Sequence, residues 1–427
     1  MKAGKFDVWF IAWIRRNILR ILLAAAVAAS LAIRIFNLGY ISRDFTDFLL
    51  PWFNEIKAQG GLVSLGQTIG NYNVLYMFLL SLLSYLPIDP LYSIKALSIV
   101  FDYVGALAAA LLVRKLLSMK RDPRAETWGA LAFIAVLFLP TVLLNASLWA
   151  QCDFMYASLL LLCLYELLEE RYTRAFLFVS LAFCLKIQAV FLLPLLVIYY
   201  FTERKFSAAN FLMIPAAFLL TSLPALLLGR PFLSLFKPES QIGIGMQTGA
   251  AGYENMTSIF YPNLYYLLGN NADWLFPGIL ATLLALGLLL GVILQYNLRV
   301  RGENILSLAL LIVLLCVFLM PCMHERYAFF ADVLSVVCFC VNRRHIHLPI
   351  GINLVSLLSY CPILFGATIL PYPVLALCHL TLLVLVARNT FLDLRADTQR
   401  ARLEERIRLP FPRLEQEKVV ALSSGRR

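Results

Sequence analysis

Residues 304–342 read NILSLALLIVLLCVFLMPCMHERYAFFADVLSVVCFCVN. Two apolar runs, 304–321 and 327–342, flank three consecutive ionisable side chains, His324, Glu325 and Arg326. Each run approaches the ~20 apolar residues that a helix needs to cross a bilayer. Pro321 stops the first run, because the residue before a proline is pushed out of the helical region. The stretch predicts two membrane helices joined by a charged turn. A turn chosen only for its geometry would use Gly, Asn or Ser, so His-Glu-Arg-Tyr points to function.

The same pattern fills the chain. Of 427 residues 61% are apolar or aromatic and 14% are charged, whereas a soluble protein has about 45–50% and about 25%. One or two globular cores could not hide so much apolar surface, and disorder needs the opposite composition. Further apolar segments fall at 17–36, 73–86, 93–113, 125–144, 152–168, 174–202, 208–228, 276–297, 348–364 and 372–388. The 174–202 segment is too long for one upright helix, and Lys186 and Gln188 interrupt it, so two shorter helices are expected to meet there. The short 73–86 segment, ended by Pro87 and Pro90, reads as a re-entrant or interfacial hairpin. The fold class is an all-α polytopic transmembrane helical bundle of about 11–13 spans.

The net charge of +11 follows from the positive-inside rule and not from nucleic-acid binding. Basic clusters lie at Lys2–Arg20, Arg114–Arg124, Arg171/Arg174, Arg204/Lys205, Arg299/Arg301, Arg343/Arg344 and beyond Arg388. They hold 28 of the 36 Lys and Arg but 14 of the 25 acids, leaving 8 bases and 11 acids elsewhere. Both termini are therefore expected in the cytoplasm, with the first span retained and not cleaved as a signal peptide. Residues 1–390 are expected to form the transmembrane unit that carries any site, and 391–427 a basic cytoplasmic tail lying against anionic lipid. The external stretches are 37–72 (37–92 with the hairpin), 145–152, 229–275 and 322–326.

Nine cysteines show no CxxC pair, and no His cluster has metal-ligand spacing, which argues against a disulfide framework or a zinc site. The glycines of Gln241–Gly252 neither follow a strand nor open a helix, so no dinucleotide fingerprint is present. Loop 229–275 reads as a mobile cover over a site or a plain surface loop.

The first external stretch, Tyr40–Ile56, predicts an amphipathic interfacial helix with Asp44, Asp47, Pro51 and Glu55 on one face and Trp52 and Phe53 at headgroup level. In the plainer reading Asp44 merely caps that helix. Gln151 and Asp153 stand at a helix boundary, either as functional groups or as an N-cap. Lys186, inside apolar sequence, needs an anion, either Asp153 or a lipid phosphate. Arg326 offers a planar fork for phosphate or carboxylate, and His324 can donate to an anion or carry a proton. Asp102 and Asp332 have no evident partner.

The phrases Asp44-Phe-Thr-Asp-Phe-Leu-Leu-Pro-Trp-Phe53, Asn71-Tyr-Asn-Val74, Trp149-Ala-Gln-Cys-Asp153, Leu185-Lys-Ile-Gln188 and Met323-His-Glu-Arg-Tyr327 resemble those of bacterial integral-membrane glycosyltransferases. These are relatives of the PIG-V type mannosyltransferases within the GT-C superfamily. The resemblance spans about residues 40 to 335. It implies a GT-C-like bundle, a polyprenyl-phosphate-sugar donor, a glycan or lipid-linked acceptor, and an active site on the extracytoplasmic side of a bacterial cytoplasmic membrane. It further implies Asp44 as the catalytic base. Arg43 precedes it where a small residue is expected, which implies a changed substrate pocket or a salt bridge to Asp44.

A sugar on polyprenyl phosphate carries a good leaving group, so the enzyme needs a base at the acceptor hydroxyl and cations where phosphate charge develops. On that reading Asp47, Asn71, Gln151 and Asp153 bind acceptor or sugar, and His324, Arg326 and Lys186 hold the donor phosphate. Arg43, Gln188, Glu325 and Tyr327 support them. No cofactor is firmly implied; a divalent metal remains an alternative against which the DxxD spacing of Asp44 and Asp47 argues. The rival class is a transporter or flippase of a lipid-linked glycan, which would show two matching halves with broken helices in both. Only one broken segment is evident.

Overall fold

The computed structural model describes residues 4–236 and 256–408. The whole Gly-rich stretch 241–252, and the tail after 408, lie outside the described residues. Among those described the architecture is helical, without strands. The chain runs through α1 (Lys5–Phe36), α2 (Leu50–Ala58), α3 (Val74–Leu83), α4 (Pro90–Met119), α5 (Ala125–Leu137), α6 (Pro140–Leu143), α7 (Asp153–Leu168), α8 (Tyr172–Leu185), α9 (Leu193–Glu203) and α10 (Met213–Leu227). It continues through α11 (Leu275–Gln295), α12 (Asn304–Leu319), α13 (Phe329–Asn342), α14 (His347–Phe365) and α15 (Tyr372–Arg408).

Six of the described helices are long and apolar enough to cross a membrane: Phe6–Phe36, Pro90–Met119, Ala208–Leu227, Ala272–Gln295, His347–Phe365 and Tyr372–Leu403. The protein is an integral membrane protein. A seventh crossing is made if α5 and Pro140–Leu148, bent by 51° at their junction, act as one; Pro140 opens the second piece, as proline favours a first helical turn. The remaining apolar segments form helices of 10–17 residues, among them α3, α8, α12 and α13. At 1.5 Å per residue the 16 residues of α12 reach about 24 Å, short of the ~30 Å hydrocarbon layer. These short helices are interior elements. Almost every residue of α12 and α13 is buried, whereas α1, α10 and α11 expose most of their apolar surface.

Two sequence readings are visible directly. The 73–86 segment is the 10-residue α3, too short to cross alone. The 174–202 segment breaks at Lys186, whose backbone is extended (φ −152°), and a 3-10 turn, Ile187–Leu192, leads into α9. The boundary expected at residue 390 falls inside the continuous α15.

The core forms where α4 packs on α5 and α7, α7 on α8, α8 on α10, and α12 on α15. Fully buried Leu112, Leu160, Leu161, Phe176, Ile312 and Phe329 belong to it. Five of the basic clusters, around 114–124, 171/174, 204/205, 299/301 and 343/344, meet at one end of the bundle. Arg343 pairs with Asp122 at 2.6 Å, Arg301 with Glu203 at 2.6 Å, Lys115 with Glu169 at 2.6 Å, Lys120 with Glu303 and Lys205 with Glu170. The described parts of the four stretches expected on the external face gather at the other end. Inside the bundle, Asp102 finds the partner its sequence did not reveal: Arg34 Nε donates to it at 2.9 Å. Asp332 accepts from Ser356 Oγ at 2.7 Å.

Candidate active site

The first loop is set by a lysine. α1 ends at Phe36, leaving orphan carbonyls that attract a cation. Lys95 of α4 supplies it: its Nζ donates to the carbonyls of Asn37 (3.2 Å), Leu38 (3.0 Å) and Tyr40 (2.6 Å). Tyr40 Oη then donates to the Leu364 carbonyl at 2.9 Å, and Ser42 Oγ to the Trp149 carbonyl at 3.0 Å.

Ser42, not Asp44, caps the helix that follows. Its Oγ accepts from the Phe45 N–H at 3.2 Å, and Asp44 makes no side-chain cap bond. The capping reading is corrected, and the carboxylate is free for other work. The helix opens with a π turn, Phe45–Leu49, before α2. A π turn is wider than an α turn, so side chains three apart no longer share a face. Asp47 accordingly leaves Asp44's face. It lies half-exposed, bonded by Thr46 Oγ1 at 3.0 Å and 4.0 Å from Arg43 Nε. Of the two alternatives for Arg43, the salt bridge to Asp44 is not formed: the Arg43 side chain is 88% exposed and faces Asp47.

Asp44 turns inward to the second loop. Gln151 Nε2 donates to its Oδ2 at 2.8 Å, and Arg326 Nη2 to the same oxygen at 3.1 Å. Gln151 is held in turn by Tyr72 Oη, which donates to its Oε1 at 3.2 Å. Two residues later Asp153 is clamped by Asn145 Nδ2 at 2.7 Å and paired with Lys186. It caps nothing. Lys186 thus meets Asp153, one of the two anions the sequence offered it.

The third loop supplies Arg326. Backbone bonds from Cys322 N to the Thr257 carbonyl (2.7 Å) and from Ile259 N to the Met323 carbonyl (2.8 Å) tie this loop to residues 257–259. Arg326 Nε donates to Glu325 Oε1 at 2.9 Å, its Nη1 lies 3.7 Å from Asp153 Oδ2, and its guanidinium stacks 4.8 Å from the centroid of buried Trp149. His324 Nδ1 lies 3.8 Å from Glu325 Oε2, and its ring 5.2 Å from that of Tyr327. Each of these two loops carries a non-glycine residue in the left-handed region, Ala150 (φ 61°) and Cys322 (φ 59°), a strain that clusters at functional sites.

The electrostatics differ from a simple cationic cradle. Three carboxylates, Asp44, Asp153 and Glu325, face the basic side chains of Arg326 and Lys186, so acids outnumber these bases by one. Burial pushes Glu325 up, but Arg326 and His324 outweigh it and hold its carboxyl down at about 2. For Asp44 burial wins. Its carboxyl is raised above the usual range, with Glu325 adding to the rise, while Arg326, His324 and the Trp149 indole offset it only in part. Asp44 is also the most open of the three, its side chain 20% exposed against 1% for Asp153 and 5% for Glu325. A partly open carboxylate with a raised pKa is suited to take a proton.

The structure thus brings together Asp44, Gln151, Asp153, Lys186, His324, Glu325, Arg326 and Tyr327. It does not bring in Asp47 or Arg43. Asn71 is half-buried and among the described residues its side chain makes no hydrogen bond; its neighbours act instead, Tyr72 on Gln151 and Asn73 through Nδ2 to the Phe183 carbonyl at 2.9 Å. Gln188 is buried with its Oε1 unpaired. Trp149, Tyr72, Asn145 and Ser42 were missed as site residues, although Trp149 and Tyr72 lie inside the motifs that drew notice.

A family model for glycosyltransferase family 87 matches residues 71–321. The matched stretch contains Gln151, Asp153 and Lys186; Asp44 lies before it and His324 to Arg326 just after. No curated protein matches the chain.

Proposed function

The chain belongs to glycosyltransferase family 87, a family of GT-C type membrane glycosyltransferases, and from that premise we propose that it moves a mannose-like hexose from a polyprenyl-phosphate-sugar donor to a glycan or lipid-linked acceptor at the extracytoplasmic face. The observation that carries this reading is the convergence of Asp44, Gln151 and Arg326 at the bundle end opposite the basic loops. Positive-inside orientation puts that end outside.

Asp44 takes the proton of the acceptor hydroxyl as its oxygen attacks the anomeric carbon. The bond from that carbon to the phosphate oxygen breaks in the same displacement, the configuration inverts, and the polyprenyl phosphate leaves as an anion without a general acid. Gln151, fixed by Tyr72, keeps the Asp44 carboxylate turned to the acceptor. Arg326 and Lys186 hold Asp44 and Asp153 in register on the Trp149 platform. A donor phosphate must compete with Asp44 for Arg326 Nη2, and half-buried His324 is the group best placed to meet it. The flippase alternative predicts passage without transfer.

The test is sugar transfer by purified, lipid-reconstituted protein beside vesicle uptake of the same lipid-linked sugar. Asp44→Asn is expected to abolish transfer. Near-wild-type transfer by that variant, or uptake without transfer by the unmodified protein, overturns the proposal.

A further inference from the structure

Eight Lys and Arg lie outside the basic clusters, and most have an evident counterpart. Arg34 pairs with Asp102, Arg43 approaches Asp47, Lys95 collects three carbonyls, Lys186 pairs with Asp153 and Arg326 faces three carboxylates. Arg230 differs. It is 7% exposed, yet among the described residues its guanidinium has a single hydrogen bond, from Nε to Ser234 Oγ at 3.0 Å, and no carboxylate. A buried charge without a counter-ion is costly, and an Arg fork suits a phosphate oxyanion.

The surroundings point to a lipid. Arg230 follows α10 directly, its N–H bonded to the Ala225 carbonyl at 3.0 Å, and Leu227, Leu228, Phe232, Leu233 and Phe236 around it in sequence are all exposed. An apolar collar around one cation at the end of a membrane helix matches the headgroup level of a bilayer. The end of α10 is locked to the loop that follows α2: a Cβ added at Gly66 would stand 2.4 Å from the Leu228 carbonyl oxygen. Arg230 therefore belongs to the same end of the bundle as Asp44. Burial also pushes its guanidinium below the usual range.

We infer that Arg230 is a binding site for the phosphate of a membrane lipid, separate from the carboxylate-saturated Arg326. Identifying that lipid with the sugar donor rests on the function proposed above; the anion site itself does not.

The experiment is thermal denaturation of the purified full chain titrated with polyprenyl monophosphate carrying no sugar, with phosphatidylglycerol, or with inorganic phosphate. Unmodified protein is expected to be stabilised by lipid phosphate, and Arg230→Gln to lose roughly tenfold or more in apparent affinity. Arg230→Lys, which keeps the charge and most of the bulk, should retain part of it, and serves if Arg230→Gln fails to fold. Lys57→Ala, removing an exposed charge on the first loop, should bind normally. A loss confined to polyprenyl phosphate assigns the donor, and an equal loss for both lipids assigns a general headgroup site. Unchanged lipid binding in Arg230→Gln and Arg230→Lys, or a response to inorganic phosphate alone, overturns the inference. Because no probe carries a sugar, the result stands apart from whether Asp44→Asn transfers.

Discussion

Two buried ion clusters in this molecule use the same side chains to opposite ends. Arg34 and Asp102 lie between α1 and α4 with 0% and 1% of their side chains exposed. Every nitrogen of that guanidinium is occupied: Nε by Asp102, Nη1 by Ser30, and Nη2 by the Leu137 carbonyl at 3.2 Å. The charges balance one to one on rigid helices. The cluster around Arg326 sits on three loops, holds three carboxylates for two permanent cations, and leaves Asp44 and His324 partly open. The first is a closed pin that fastens the mostly lipid-facing α1 to the bundle. The second is a group with more carboxylates than cations, in which Asp44 stays partly open.

The sharpest way to break the contrast is to remove one charge from each. Asp44→Asn should cut transfer by about 10²–10⁴-fold, the usual contribution of a general base, with the melting temperature nearly unchanged. A kinetic assay beside a melting curve checks both halves. Arg34→Met should do the reverse, destabilising the fold by about 3–5 kcal/mol, the cost of leaving one buried partner unpaired. The double variant Arg34→Met with Asp102→Leu should regain most of that loss, because neither charge is then stranded, and detergent-solubilised melting curves will show it.

A subtler probe is pH. The raised pKa of Asp44 places the acid limb of transfer above the ordinary carboxylate range, since activity needs the ionised form and falls as pH drops through that value. In Arg326→Gln the nearest favourable charge is gone, so the limb should move to still higher pH; a limb that moves down contradicts the assignment. The smallest effect belongs to Tyr72→Phe. It removes one neutral hydrogen bond to Gln151, worth about 0.5–1.5 kcal/mol, and should lower kcat by roughly two- to tenfold.

The legible parts were those governed by local chemistry. Helices, the break at Lys186 and the short α3 follow from apolar run length and its interruptions. The common end of the four polar stretches follows from counting basic residues between spans. Lys186 had to find an anion, and Asp153 was one of two candidates. What misled were inferences that assumed a regular α-helix at the first loop. The π turn after Asp44 removed Asp47 from its face, and Ser42, two residues earlier, took over the cap. Arg43 is adjacent to Asp44 in sequence but is directed outward, whereas Arg326, 282 residues away, meets it.

The amino-acid sequence alone determined that this chain is a membrane-embedded helical bundle and which of its stretches gather the polar motifs. Hydrophobic length and charge counting are sums over neighbouring residues, so they need no third dimension. Only the tertiary structure decided that Arg326 is already claimed by Asp44, Glu325 and Asp153, that Trp149 and Tyr72 fix the group, and that Arg230 is buried without a carboxylate among the described residues. Those are facts about which distant side chains share a few ångströms, and electrostatic character inside a protein is set at that range.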